Sequence, residues 1–243
     1  METKNQILTQ HIYNHLHDEW QELVGFLVRW FKDHPTIPFI GEYGSQDQKL
    51  KQLEYAKKAG LQIPNTFITS SKKDLIDFYN CCHHTIITKG IESSASYTFG
   101  NISLEGYTEE VTKEFIDQLP NTFFPSLFQE NIKKAYELRI FFLKDTFYSM
   151  AVFSQQNEQT KTDMRKYDDS FPNRTVPYIL PLDIEQKLLE AMNALGLTTG
   201  SIDMIVDDNE GYCFLEVNPS GQFGMVSVPC NYYIEEAIAK QLL

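Results

Sequence analysis

The chain has 243 residues, 42% hydrophobic and 13% aromatic, with a formal net charge of −12 at pH 7; that length supports one large domain or two small lobes, and the apolar share excludes a disordered chain. The acidic balance argues against a nucleic-acid binder, which would show a basic face. The longest apolar runs, such as Ile140 to Leu143, are too short to cross a bilayer, and Met1 opens a polar stretch without a signal segment, so a cytoplasmic protein off the membrane is expected.

Apolar residues at spacings of three and four predict one amphipathic helix from about Asn5 to Lys32, stopped by Pro35 and Pro38. His11 and His15 stand four apart on it, a metal-capable spacing that lacks a third ligand. A second helix is expected from about Ser45 to Ala59, ended by Gly60, then a short strand at Thr66 to Thr69. Ser70 and Ser71 open a third helix reaching about Cys82. The β-branched run Thr85 to Thr88 reads as a strand that delivers Lys89 and Gly90 at its end. A helix near Glu109 to Leu119 precedes strands at Leu127 to Gln129, Glu137 to Leu143 and Phe147 to Phe153. Helix Ile184 to Leu195 follows, then strands Ser201 to Val206 and Cys213 to Val217 joined by a turn at Asp207 to Gly211; a last helix starts near Tyr232. The four cysteines, at 81, 82, 213 and 230, show neither zinc spacing nor a disulfide framework. The mixture predicts an α+β protein with mainly antiparallel sheets, in two lobes joined near Gln129 to Ile132.

The sharpest chemical signal is the C-terminal hairpin. Period-two alternation puts Asp203 on the face of Ile205, opposite Ile202 and Met204, and puts Glu216 and Asn218 together on the partner strand. Two carboxylates and an amide carbonyl are hard oxygen ligands of the kind magnesium takes, the rest of its shell coming from phosphate and water. Each acid read alone fits a solvated sheet face equally well; the combination, ended by Asn218-Pro219, points to a metal site. Arg139, Arg165, Lys166 and Arg174 form a basic set within the acidic chain.

At these residues the sequence becomes recognisable. The segment Asp203 to Phe223 resembles the metal-binding hairpin of the ATP-grasp superfamily, whose enzymes use ATP to convert a carboxylate into an acyl phosphate for attack by an amine, hydroxyl or thiol. The segments Lys49 to Thr69, Gln129 to Phe141, Asp163 to Asp168 and Pro172 to Tyr178, in that order, resemble the branch of peptide maturases that make graspetides, the microviridin-type and grasp-with-spasm ribosomal peptides. The resemblance spans about Ser45 to the C-terminus.

It implies an ATP-grasp fold of two lobes: residues 45–130 as the first and 131–243 as the second, with the metal site. Residues 1–44 would be a helix and linker, all that stands for the N-terminal domain that usually precedes the fold. It also implies ATP and magnesium as cofactors, Asp203, Glu216 and Asn218 as metal ligands, and Lys89, with Lys49 beside it, as phosphate-binding lysines. Gln129, Glu130, Asn131 and Ile132 would be the hinge, whose backbone reads adenine, and Glu137 would reach the ribose or phosphates. Arg139, Arg165 and Arg174 would clamp the transition state. Two features depart from the pattern: the segment Glu92 to Asn101 has only one glycine where many relatives carry a glycine-rich phosphate loop, and only about 45 residues, mostly one helix, precede the matching part, so the usual N-terminal domain is expected to be truncated away, missing or reduced to that helix. The expected reaction activates Asp or Glu side chains of a ribosomal precursor peptide, with a leader and an acidic, Thr/Ser-rich core, and closes ester or amide rings with Ser, Thr or Lys. The rival readings are an amino-acid or small-peptide ligase of the same fold and a non-catalytic nucleotide- or peptide-binding module. A homodimer, through the N-terminal helix, is the expected assembly.

Overall fold

The computed structural model describes residues 4–34, 36–41, 48–91, 96–99, 102–155 and 172–243. Helix α1 (Lys4–Asp33) runs for 30 residues as the apolar periodicity requires. Much of its apolar stripe, including Leu16, Trp20, Leu23, Phe26 and Trp30, faces solvent. Helix α2 (Lys49–Lys58) ends where Gly60 takes a left-handed φ of +82°, with Gly60 N–H donating to Lys57 O and Leu61 N–H to Ala56 O. That reciprocal pair closes the helix's last carbonyls, which is why a glycine stands there.

The first sheet is built from β1 (Thr66–Ser71), β2 (Ile86–Lys89), β5 (Glu109–Val111) and β6 (Thr122–Glu130), antiparallel in the order β1-β6-β2-β5. Strands β3 (Ser96–Phe99) and β4 (Ile102–Glu105) form a separate hairpin. Helices α3 (Lys72–Cys81) and α4 (Lys113–Gln118) cover the four-stranded sheet over a core that includes Leu75, Ile86, Ile116 and Phe128. Ser71 caps α3 through a bond from Asp74 N–H. The single helix expected over Glu109 to Leu119 is two elements instead. Glu109–Val111 pairs with β2, and Thr112 accepts from Phe115 N–H, which starts α4 only at Lys113.

The second sheet has the order β11-β10-β7-β8-β9, from β7 (Lys134–Leu143), β8 (Thr146–Phe153), β9 (Arg174–Tyr178), β10 (Thr199–Asp207) and β11 (Tyr212–Asn218). Strand β9, unforeseen in the sequence, carries Pro177 and accordingly lies at the sheet's edge. Helix α5 (Leu182–Leu195) packs on one face, sealed at its end by Gly196 in the left-handed region. Helix α2, grouped with the first lobe in the sequence, packs here too. Its Leu53 and Ala56 share a core with Leu138, Ile140, Leu188, Met192, Ile202 and Phe214. The opposite face is covered at one end by α6 (Gly224–Cys230) and α7 (Ile234–Gln241) over Phe141, Leu143, Met150 and Val152. The other end of that face is left for a cleft. All four cysteines are free thiols, and no helix among the described residues is long and apolar enough to cross a membrane.

Candidate active site

The chain passes from the first sheet to the second at residues 131–133, and an open cleft lies between the two. Lys89 and Gln129 come from the first sheet, Ile132 from the crossing, and Lys134, Glu137, Asp203, Leu215 and Glu216 from the second, with Lys49 reaching in from α2. Every nucleotide-side candidate of the sequence lines it, and so do both candidate metal carboxylates.

Two β-bulges shape this face. Asp203 pairs with Glu216 while Met204 pairs with Phe214, so Leu215 is an extra residue. Phe214 and Val217 both bury on the helix side, and Leu215 and Glu216 both line the cleft. Without the extra residue, strict alternation would put Glu216 on the same face as Phe214. The second bulge is at Ala135: Val206 pairs with Tyr136 and Asp207 with Lys134. It turns Lys134 to the face of Glu137, and the two form a buried ion pair with Nζ to Oε1 at 2.6 Å and side chains 7% and 8% exposed.

Asp203 and Glu216 are direct neighbours across β10 and β11. Glu216 Oε2 lies 3.3 Å from Lys49 Nζ and 4.0 Å from Lys89 Nζ. Arg139 Nη1 donates to both oxygens of Asp203 at 2.5 Å. Burial pushes the Asp203 carboxyl up to about 6, against the pull of Arg139 and with the added repulsion of Glu216 and Glu137. Asn218 follows on the same strand, opposite Ser201, and its Oδ1 accepts from Ser220 N–H at 3.0 Å.

At the crossing, Glu130 N–H donates to Asn65 O and Asn131 N–H to Thr85 O, so the two middle hinge amides are engaged within the protein. The Gln129 side chain can be oriented by logic. Thr66 Oγ1 donates its one proton to Pro64 O, so it can only accept from Gln129, at 2.9 Å. Gln129 Nε2 is therefore the donor and Oε1 the free end. That oxygen is buried with no partner among the described residues, as is Glu137 Oε2. Two orphaned acceptors on cleft-lining residues are costly unless a ligand brings donors.

Of the clamp arginines that the structure describes, Arg139 is gathered with the acids and Arg174 is not. Arg174 pairs in register with Phe153, which packs on the α5 side, and its guanidinium lies 5.3 Å from the Phe153 ring centroid. Arg139 shares the opposite face with Asp203, so the two arginines do not converge. Arg165 and Lys166 lie outside the described residues. His11 and His15 gain no further ligand, since no group of three His, Cys, Asp or Glu suited to a metal occurs among the described residues. Sequence reasoning missed Gln52, Lys134 and Leu215. Gln52 reads as an ordinary polar helix residue, and the other two reach the site only through bulges.

The donor set suits a divalent cation bound through phosphate. Magnesium is commonly held by one or two carboxylates plus substrate phosphates and water, and Asp203 and Glu216 supply that pair. The charge balance argues the same way. Four lining carboxylates, Glu130, Glu137, Asp203 and Glu216, face three lysines, 49, 89 and 134, so the wall offers a polyphosphate no surplus positive charge.

A family profile described as a RimK-like ATP-grasp domain matches residues 46–242. Among solved structures, the macrocyclase MdnC of Microcystis aeruginosa, bound with precursor peptide MdnA, is 38% identical with a TM-score of 0.70 over 81% of this chain and 61% of its own. A RiPP-associated ATP-grasp ligase of Chryseobacterium gregarium, in complex with ADP and a leader and core peptide, is 27% identical with a TM-score of 0.77, covering 93% of this chain and 68% of its own. The alpha-aminoadipate–LysW ligase LysX of Sulfurisphaera tokodaii is 20% identical over 201 residues, 81% of this chain and 67% of that protein. The chain thus spans about three fifths of the length of MdnC and about two thirds of the other two.

Proposed function

The chain belongs to the RimK-like ATP-grasp family, and from that premise we propose that it is an ATP- and magnesium-dependent carboxylate ligase acting on a peptide. The observation that carries the reading is the pair Asp203 and Glu216, adjacent across a hairpin, facing Lys49 and Lys89 in a cleft whose hinge wall holds orphaned acceptors.

Each residue has a physical task. Lys49 and Lys89 are compact charges that neutralise phosphate oxygens. Gln129 Oε1 accepts from an amino group on the base, the Ile132 peptide stands beside it, and Glu137 Oε2 accepts from a ribose hydroxyl. Magnesium, held by Asp203 and Glu216 with Asn218 next along the strand, supplies Lewis-acid stabilisation of phosphoryl charge. Arg139 orients Asp203 and adds fixed positive charge where two anions must meet. A peptide carboxylate oxygen takes the γ-phosphoryl group and ADP leaves. A Ser or Thr hydroxyl, or a Lys amine, of the same peptide then displaces inorganic phosphate, giving an ester or amide and releasing a proton. Holding both groups on one bound peptide raises their effective concentration.

Support for a peptide acceptor comes from the MdnC and Chryseobacterium structures, both of which hold peptides. A precursor with a leader and an acidic, Thr/Ser-rich core is the partner proposed here, and the exposed stripe of α1 supports a homodimer. The test is mass spectrometry of peptides carrying Asp or Glu beside Ser, Thr or Lys, incubated with Mg-ATP. The reading predicts products lighter by one water per bond, with ADP formed in step. A product heavier by an added amino acid would favour a small-molecule ligase, as would be natural beside LysX. No peptide-stimulated ADP formation would leave only a binding module.

A further inference from the structure

Strand β11 carries Glu216 and Asn218, yet it is the edge of its sheet. An edge strand has one unpaired row of backbone groups and is held on one side only, a poor mount for ligands that must keep their geometry. Here the open side is closed by a side chain. Gln52 on α2, 1% exposed, donates from Nε2 to Val217 O at 2.8 Å and accepts from Val217 N–H at 3.0 Å. Val217 lies between the two ligand positions, so these bonds hold the peptide groups on both of its sides. One turn earlier on the same helix, Lys49 reaches the Glu216 carboxylate. The Val217 side chain is buried against Gly200, where an added Cβ would come within 2.8 Å of Val217 Cγ2. Below Gln52, Gln62 O accepts from Phe214 N–H at 2.8 Å and continues the cover. An amide buried beside Leu53 and Ala56 is costly unless its polar atoms are used, and here both are.

We infer that Gln52 is a positioning residue for the metal-binding hairpin: it serves β11 as a one-residue neighbouring strand and sets the spacing of Glu216 and Asn218. The inference rests on the magnesium reading of these residues. It makes α2 part of the active site by its backbone grip, not only by Lys49.

The test compares wild type with Gln52→Met, which keeps length and loses the amide. Leu53→Ala serves as a control for general loosening of α2. Two readouts are needed: amide hydrogen exchange over β11 without nucleotide, and the magnesium midpoint of the ADP-induced rise in Tm. Gln52→Met should speed β11 exchange at least about tenfold without affecting α5. It should also raise the magnesium midpoint about tenfold or more, as outer partners of metal ligands commonly do, with the metal-free ADP response unchanged. Leu53→Ala should leave the midpoint near wild type. Faster β11 exchange with an unchanged midpoint would overturn the inference, because the amide would then be structural only. A midpoint shifted equally by Leu53→Ala would overturn it too. If wild type shows no magnesium-dependent response, the functional reading falls, whereas unchanged β11 exchange in Gln52→Met refutes the grip by itself.

Discussion

Replacing Lys134 with methionine would strand Glu137 in the cleft wall. The pair is buried on both sides, 7% and 8% exposed, with Nζ and Oε1 2.6 Å apart. At an effective dielectric near 20, unit charges at that distance attract by roughly 6 kcal/mol, and desolvation of the two ends takes most of that back. Lys134→Met removes the attraction but keeps the desolvation of Glu137, whose Oε2 already lacks a partner among the described residues. Breaking a buried pair from one side costs about 3 to 5 kcal/mol, whereas replacing both members with apolar groups is often neutral. Lys134→Met should therefore lower stability by about that amount, and Lys134→Met/Glu137→Leu should recover most of it. In urea unfolding followed by circular dichroism, a slope near 2 kcal/mol per molar turns the single-variant loss into a midpoint drop of about 2 M. The double variant should fold nearly as well as wild type and still lose its nucleotide response, which would mark the ion pair as kept for binding. A single-variant cost below about 1 kcal/mol, or a double variant weaker than the single, would refute this reasoning.

Three further outcomes follow from named contacts. Gly221→Ala should cost about 1 to 3 kcal/mol, the range for overpacking, since a Cβ there would come within 2.3 Å of Ser201 Cβ and 2.7 Å of its backbone nitrogen; thermal unfolding reads it. Gln129→Leu should weaken the ADP-induced Tm rise, while Ile132→Val should not, because the first removes an orphaned acceptor and the second keeps the peptide. In the native protein a thiol reagent at pH 8 should label Cys81 fast and Cys213 only on unfolding. Cys81 is exposed, whereas Cys213 is buried and its thiol is pushed up to about 12, leaving almost no thiolate.

Much of the fold was legible from local chemistry. Gly60 ended α2 and Ser71 began α3 because those residue types satisfy helix ends, and the Asp207 to Gly211 turn formed as read, with Asp207 Oδ1 accepting from the N–H groups of Asn209 and Gly211. Glu109 to Leu119 misled because Thr112 starts a helix as readily as it continues one, and the pairing of Glu109–Val111 with β2 is a long-range fact. In the cleft, Asp203 and Glu216 were singled out by type and spacing and do stand side by side, and alternation gave the face that Asp203 takes. The bulges at Leu215 and Ala135 were out of reach, since an inserted residue carries no mark of its own in the sequence. Lys134 and Glu137, three apart on a strand, read as residues on opposite faces until the bulge joins them. Gln52 was invisible for another reason: its partner is a backbone 165 positions away. That Arg174 takes the face opposite Arg139 was not legible, because the face a strand residue takes depends on register, which the intervening segment hides.

The most direct test of the account is a thermal-shift titration of wild type and Glu216→Ala with ADP, with and without magnesium. Ligand at 100 times its dissociation constant stabilises by about 2.7 kcal/mol, a rise in Tm of roughly 5 to 11 °C for a chain of this size. The account predicts that rise in wild type with magnesium and its loss in Glu216→Ala. An equal rise in both proteins, or none in wild type at saturating Mg-ADP, would contradict it.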